Sequence, residues 1–191
     1  MSAPGYVMQN SKTPRKVSQM TSRLVSAGMI LVFACTFAVA QSPSGLPQVH
    51  LDADGLAPRS IEELTGTTIA KNYAKAWRDL ASALDSSRSG EIADGFTGFA
   101  KDRLVRRIGE QQQTGVHVHI VDHGHQLKAI FYSADGSVMQ LVDQAQLEIQ
   151  TFDGGKLLDT QNASRQYMVL MTPGADRWYI RDLEEVSVPS K

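Results

Sequence analysis

Residues 137–152, Ser-Val-Met-Gln-Leu-Val-Asp-Gln-Ala-Gln-Leu-Glu-Ile-Gln-Thr-Phe, decide the fold. Met139, Leu141, Ala145, Leu147 and Ile149 occupy alternate positions, and Gln140, Gln144, Gln146, Glu148 and Gln150 fill the others. A period of two is the signature of a strand with one dry and one wet face. The run is long enough to need a bend or a bulge. Asp135-Gly136 before it and Asp153-Gly154-Gly155 after it are hairpin signals. The same alternation therefore continues on both sides: Leu127 to Ser133 upstream, and Ala163 to Thr172 and Arg177 to Val186 downstream, the last two separated by Pro173-Gly174-Ala175-Asp176. Val116, Val118 and Ile120 predict one more strand, with Gly124 read as a turn.

Upstream of Gly115 the period is helical. Ile69, Tyr73, Ala76, Trp77, Leu80 and Leu84 form one apolar stripe, with Thr65 or Thr67 as the expected cap and Ser86 to Gly90 as the end. A short helix is expected over Glu91 to Phe96. A third is expected from about Gly98 to Gln113, with Leu104, Val105 and Ile108 inward and Gly115 as its stop. Helices followed by consecutive hairpins define an α+β class: N-terminal helices packed on a strongly curved antiparallel sheet of long hairpins.

The first forty residues differ in kind. They carry Lys12, Arg15, Lys16 and Arg23, no acid, and then a 17-residue apolar run from Leu24 to Ala40 ending Ala38-Val39-Ala40. This is the pattern of a secretory signal, with cleavage expected after Ala40; Met20 to Ala40 reads as a complete signal by itself. The alternative is an uncleaved membrane anchor, against which the run is short for a helix that must span about 20 residues. Cys35, the single cysteine, sits inside the apolar run and fits a lipidation site poorly, because bulky Phe33 precedes it. The expected organisation is thus a signal over residues 1–40, a flexible Pro- and Gly-containing lead-in over 41–60, and one α+β domain over 61–188. Such a chain is exported, periplasmic or extracellular, with no membrane attachment after cleavage. Taking the leader's 4 basic residues from the 19 leaves 15 against 20 acidic, a net charge of −5. That balance disfavours nucleic acid and anionic lipid as partners. The mature chain holds no cysteine for a disulfide or a thiolate metal site.

A long first helix with an inward Trp77, two shorter helices and a bent sheet resemble the nuclear transport factor two-like superfamily. Tyr167-Met168-Val169-Leu170-Met171 followed by Arg177-Trp178-Tyr179-Ile180 resembles the paired closing strands of such domains. The resemblance covers about Thr65 to Val186. It implies a cone whose helices and sheet enclose a pocket. Some members are enzymes of the ketosteroid isomerase or dehydratase kind, whereas many only bind or dimerise, often through the outer sheet face, here Gln140, Val142, Gln144 and Gln146.

Asp143 interrupts the apolar face of residues 139–149. A carboxylate placed there is desolvated, which suits acid or base work. In a cone it faces the pocket, within the space that Tyr73, Trp77 and Tyr167 reach. The competing reading is a structural network in which Asp143 pairs with an Arg or a Tyr. Four of the five histidines lie within residues 117–125. On a strand His117, His119 and His123 share a face, which is a metal-site pattern when ligands converge, and otherwise the solvated side of an amphipathic strand. The string also resembles the HxHxDH motif of metallo-β-lactamase-like hydrolases, but its spacing is one residue too long and the later histidines are missing. Lys101, Arg103, Arg106 and Arg107 make a basic helix side, with Asp102 and Glu110 mixed in. The expectation from these leads is a non-catalytic ligand-binding or protein-interaction domain without a cofactor, holding a small apolar ligand or a protein partner, with a homodimer open. The alternatives are a small lyase or isomerase built on Asp143 and metal binding by His117 to His125.

Overall fold

The computed structural model describes residues 45–186. The leader, Cys35, the expected cleavage site and residues 187–191 lie outside them. The elements run β1 (Val49–Asp52), α1 (Glu63–Ser86), a 3-10 turn (Ser89–Ile92), α2 (Gly98–Thr114), β2 (Val116–Tyr132), β3 (Met139–Asp153), β4 (Lys156–Pro173) and β5 (Trp178–Glu185). The strands lie in chain order in one sheet, β1-β2-β3-β4-β5. Only the β1–β2 pairing is parallel. The sheet is curved and unclosed, and the helices pack on its inner face. This is the α+β architecture expected from the alternation.

The core forms where two periodicities meet. Ile69, Tyr73, Trp77, Leu80 and Leu84, spaced three or four apart on α1, are all buried. They face Leu127, Leu141, Leu147, Val169, Met171 and Ile180, which recur at every second position of the strands. Each such side chain contributes roughly 1.5–3 kcal/mol by leaving water. Trp178 closes the far end, tilted against Tyr132 at 6.2 Å.

Several elements differ from the sequence reading. The lead-in contributes β1, whose four residues pair with His125 to Lys128. The two strands expected before Tyr132 are one strand, and Gly124 is a bulge within it and not a turn. β4 begins at Lys156, so the β3–β4 hairpin reaches its tip at Gly154-Gly155 with Leu157 and Leu158 exposed. The second helix is a single 3-10 turn. Val105 is exposed, because α2 buries only Ala100, Ile108 and Gln111 fully. Thr65 and Thr67 lie inside α1 and do not cap it, and the Thr67 hydroxyl donates to the Glu63 carbonyl.

Candidate functional site

The site is made by the bulge in β2. The β2–β3 register slips between Asp122 and Gly124. Ahead of the slip Asp122 stands opposite Leu147, and after it His125 stands opposite Ala145 and Leu127 opposite Asp143. Leu147, Ala145 and Asp143 all belong to the buried face of β3. One extra residue therefore turns both Asp122 and His125 inward, which an unbroken strand cannot do at odd separation. Gly124 supplies the required backbone at φ 125°, and its N–H donates to Asp122 Oδ1 at 2.8 Å.

His125 bridges two carboxylates. Its Nδ1 donates to Asp143 Oδ2 at 2.8 Å and its Nε2 to Asp122 Oδ2 at 2.8 Å. Tyr73, from the middle of α1, donates its hydroxyl to the same Asp143 Oδ2 at 2.8 Å. Burial by itself pushes the imidazole pKa down. The hydrogen bonds and charges of Asp122 and Asp143 outweigh it and raise the value from 6.5 to about 9. His125 is thus an imidazolium at neutral pH, with both ring nitrogens donating. The Tyr73 hydroxyl is held well above its ordinary range, first by burial and then by the Asp143 charge.

Aromatic rings enclose this group. Trp77, one helical turn after Tyr73, lies 4.6 Å from the His125 ring, and Tyr73 meets that ring edge-on at 5.4 Å. An indole beside an imidazolium adds a cation–π attraction. Tyr167, directly across the β3–β4 ladder from Asp143, meets Trp77 edge-to-face at 5.4 Å. Burial, then the Glu185 charge, pushes the Tyr167 phenol up to about 12 against the opposing pull of Arg165 and Arg107. Three buried polar atoms have no hydrogen-bond partner among the described residues, Asp143 Oδ1 and Trp77 Nε1 in this cluster and Gln111 Oε1 on α2.

The structure places Tyr73, Trp77, Asp143 and Tyr167 in one cluster and adds His125 and Asp122, which the sequence reading did not select. The histidine string is dispersed. His117 stacks on Phe152 at 5.2 Å, His119 approaches Asp85 on α1 at 3.1 Å, and His123 is exposed at the bulge. Among the described residues no group of three or more His, Cys, Asp or Glu side chains is arranged to hold a metal ion. On the basic side of α2, Arg103 pairs with Asp182 and donates to the Leu183 carbonyl at 3.1 Å.

The chain is similar to several solved structures. The intermembrane space region of the chloroplast protein ARC6 superposes with a TM-score of 0.57 at 15% identity, covering 69% of this chain and 100% of that one. A putative dehydratase of the NTF2-like family from Streptomyces avermitilis gives 0.45 at 8% identity, over 65% and 99%. A Catenulispora acidiphila protein gives 0.45 at 16%, over 65% and 94%. At 15% identity the likeness to the ARC6 region is one of fold alone. No family model matches the sequence, and no curated protein matches it.

Proposed function

We propose that this is an exported, non-catalytic binding or interaction domain, and that its buried polar cluster holds the sheet to the first helix. The observation that carries this reading is the closure of the cluster. Tyr73, His125 and Asp143 are 0%, 1% and 0% exposed. Both His125 nitrogens and the Tyr73 hydroxyl are already engaged. An imidazolium with a pKa near 9 is a poor base at neutral pH, since catalysis favours a group that titrates near the working pH. Export rests on the basic, apolar, small-x-small pattern of residues 1–40. Among the described residues no helix is long and apolar enough to cross a membrane.

The lyase or isomerase alternative is favoured by one feature, the unpartnered Asp143 Oδ1. It requires the aromatic cluster to open and admit a substrate to that oxygen.

Native mass spectrometry of protein recovered after export tests the proposal. The expected chain begins at Gln41 and carries a second copy, a partner chain or an apolar adduct that leaves on denaturation. A chain that retains residues 1–40, or a recovered protein that turns over an added hydrophobic ketone or alcohol and stops doing so in Asp143→Asn, overturns it.

A further inference from the structure

β4 outruns the strand that covers it. It spans Lys156–Pro173, but β5 pairs only with Tyr167 to Pro173. The last rung is the Val186 N–H, which donates to the Gln166 carbonyl at 2.8 Å. From there back to the hairpin tip β4 pairs with β3 on one side, and among the described residues no strand lies on the other. The N–H and C=O of successive residues in an antiparallel strand point to alternate sides. The Gln166 bond therefore shows that Ser164, Asn162 and Thr160 aim theirs at the open side. A cleft of about 460 Å3 lies there, lined by Gln161 to Gln166, Glu185 and Val186. Exposed edges are usually blunted by lysine, proline or a bulge. Residues 159–164, Asp-Thr-Gln-Asn-Ala-Ser, carry no lysine or proline, and the register shift of β4 against β3 lies nearer the tip, at Leu158.

This edge is complementary to itself. A copy laid antiparallel about a two-fold axis at Asn162 pairs Asn162 with Asn162, and Thr160 with Ser164, as hydrogen-bonded rungs. Gln161, Ala163 and Arg165 stand opposite Ile149, Leu147 and Ala145 of β3, so they and Asp159 share the helix-side face. On that face the same axis sets Gln161 opposite Ala163 and Asp159 opposite Arg165, each twice by symmetry. Asp159 is exposed and has no ion pair or hydrogen-bonding side-chain partner among the described residues. Arg165 already reaches toward the open side, donating to Glu185 of β5 at 2.5 Å and to Gln161 at 2.9 Å. A guanidinium has five N–H groups, which leaves donors for a second carboxylate. An axis at Gln161 or Ala163 sets Arg165 against Leu157 or Gln161 and loses both ion pairs. We propose that the open edge of β4 pairs with the same edge of a second copy of this chain, centred on Asn162, so that one sheet runs through both copies.

This deepens the interaction reading and rests on it. The two fail separately: a monomer that carries an apolar adduct keeps that reading and removes this one, whereas turnover that depends on Asp143 removes that reading and leaves the edge as it is. Sedimentation velocity of the exported chain, from about 1 µM to about 1 mM, covers the weak self-association expected of an interface below about 1,200 Å2. Asp159→Arg sets arginine against arginine on both sides of the axis, and Arg165→Glu sets carboxylate against carboxylate. Each variant alone associates about tenfold more weakly than the parent. Mixed in equal amounts the two regain the parent's affinity, because the mixed pair has an arginine opposite a carboxylate at both places. Asn162→Pro abolishes association without lowering the unfolding midpoint, since the lost N–H faces the open side. A full chain that stays monomeric throughout overturns the proposal, as does a dimer that these variants and their mixture leave unchanged. Association that appears only when the chain is ended at Val186 assigns the edge to residues 187–191 and overturns it as well.

Discussion

His125 Nδ1 stands 2.8 Å from Asp143 Oδ2, yet the two residues are diagonal in the β2–β3 ladder, His125 facing Ala145 and Asp143 facing Leu127. Diagonal neighbours lie within reach of a ring and a short carboxylate. With Asp122 on the other nitrogen, the pair becomes a buried chain of three charged groups, capped by the Tyr73 hydroxyl. It joins the bulge of β2, the centre of β3 and the middle of α1. Removing one member leaves another charge buried without its partner.

Asp143→Ala is therefore expected to cost about 3–5 kcal/mol, the range for breaking a buried ion pair from one side. Tyr73→Phe deletes one hydrogen bond to the same oxygen and costs about 1–2 kcal/mol. Urea unfolding followed by tryptophan fluorescence measures both. Equal losses in the two variants disprove the charge-centred account.

Stability should fall with rising pH through a window set by His125. Its folded pKa, about 9, lies above the ordinary 6.5. Between those values the folded protein keeps a proton that the unfolded chain has released, so the contribution is complete below about pH 6.5 and gone above about pH 9. The loss amounts to about 3 kcal/mol across the window. The urea midpoint at about pH 6 and pH 9, below the range where phenols ionise, checks it. His125→Gln should flatten the dependence. A midpoint that rises with pH contradicts the assignment of a buried imidazolium.

The fold was legible in the sequence because its two periods are clean: Ile69 to Leu84 at helical spacing, Met139 to Ile149 at spacing two. The site was half legible. Asp143 stood out as a charge on an apolar face, and Tyr73 and Trp77 stood on the stripe that packs over it. His125 was hidden because Gly124 resembled a turn. A signal was present nonetheless. Inward positions are even at Val118 and Ile120 but odd at Leu127 and Ala129, and in one strand that change of parity requires an extra residue between them. β1 was hidden for another reason. Four residues between Pro47 and Gly55 are too few to show a period, and their pairing with β2 is parallel and long-range.

Gly124→Val tests the bulge itself. At φ 125° a β-branched side chain is strained, and an added Cβ would sit 3.3 Å from the Gln48 carbonyl. That carbonyl accepts the His125 N–H at 2.9 Å and so anchors the start of β1. The expected cost is about 1–3 kcal/mol. Amide exchange at His125 should accelerate more than at Leu141, in the middle of β3. Uniform acceleration across the sheet would count against a local role.

Replacement by alanine should act with opposite sign at two other glycines. Gly95 follows the 3-10 turn and passes close over α1, where an added Cβ would lie 2.7 Å from the Ala76 Cβ and 2.9 Å from its Cα. The segment cannot retreat, because the Gly95 carbonyl accepts the Ile180 N–H at 2.9 Å and the Thr97 N–H donates to the Ile180 carbonyl at 3.0 Å. Backbone is thus pinned between α1 and β5, and Gly95→Ala should cost about 1–3 kcal/mol through overpacking. Gly109 lies in the interior of α2 with open space around its α-carbon. There the new methyl meets nothing and restricts the unfolded chain, so Gly109→Ala should stabilise by about 0.5–1 kcal/mol. Thermal unfolding of the two variants beside the parent separates the effects. A gain at both positions means that the contact of Gly95 with Ala76 is looser than the geometry requires. A loss at both places the cost in the glycine backbone and not in the packing.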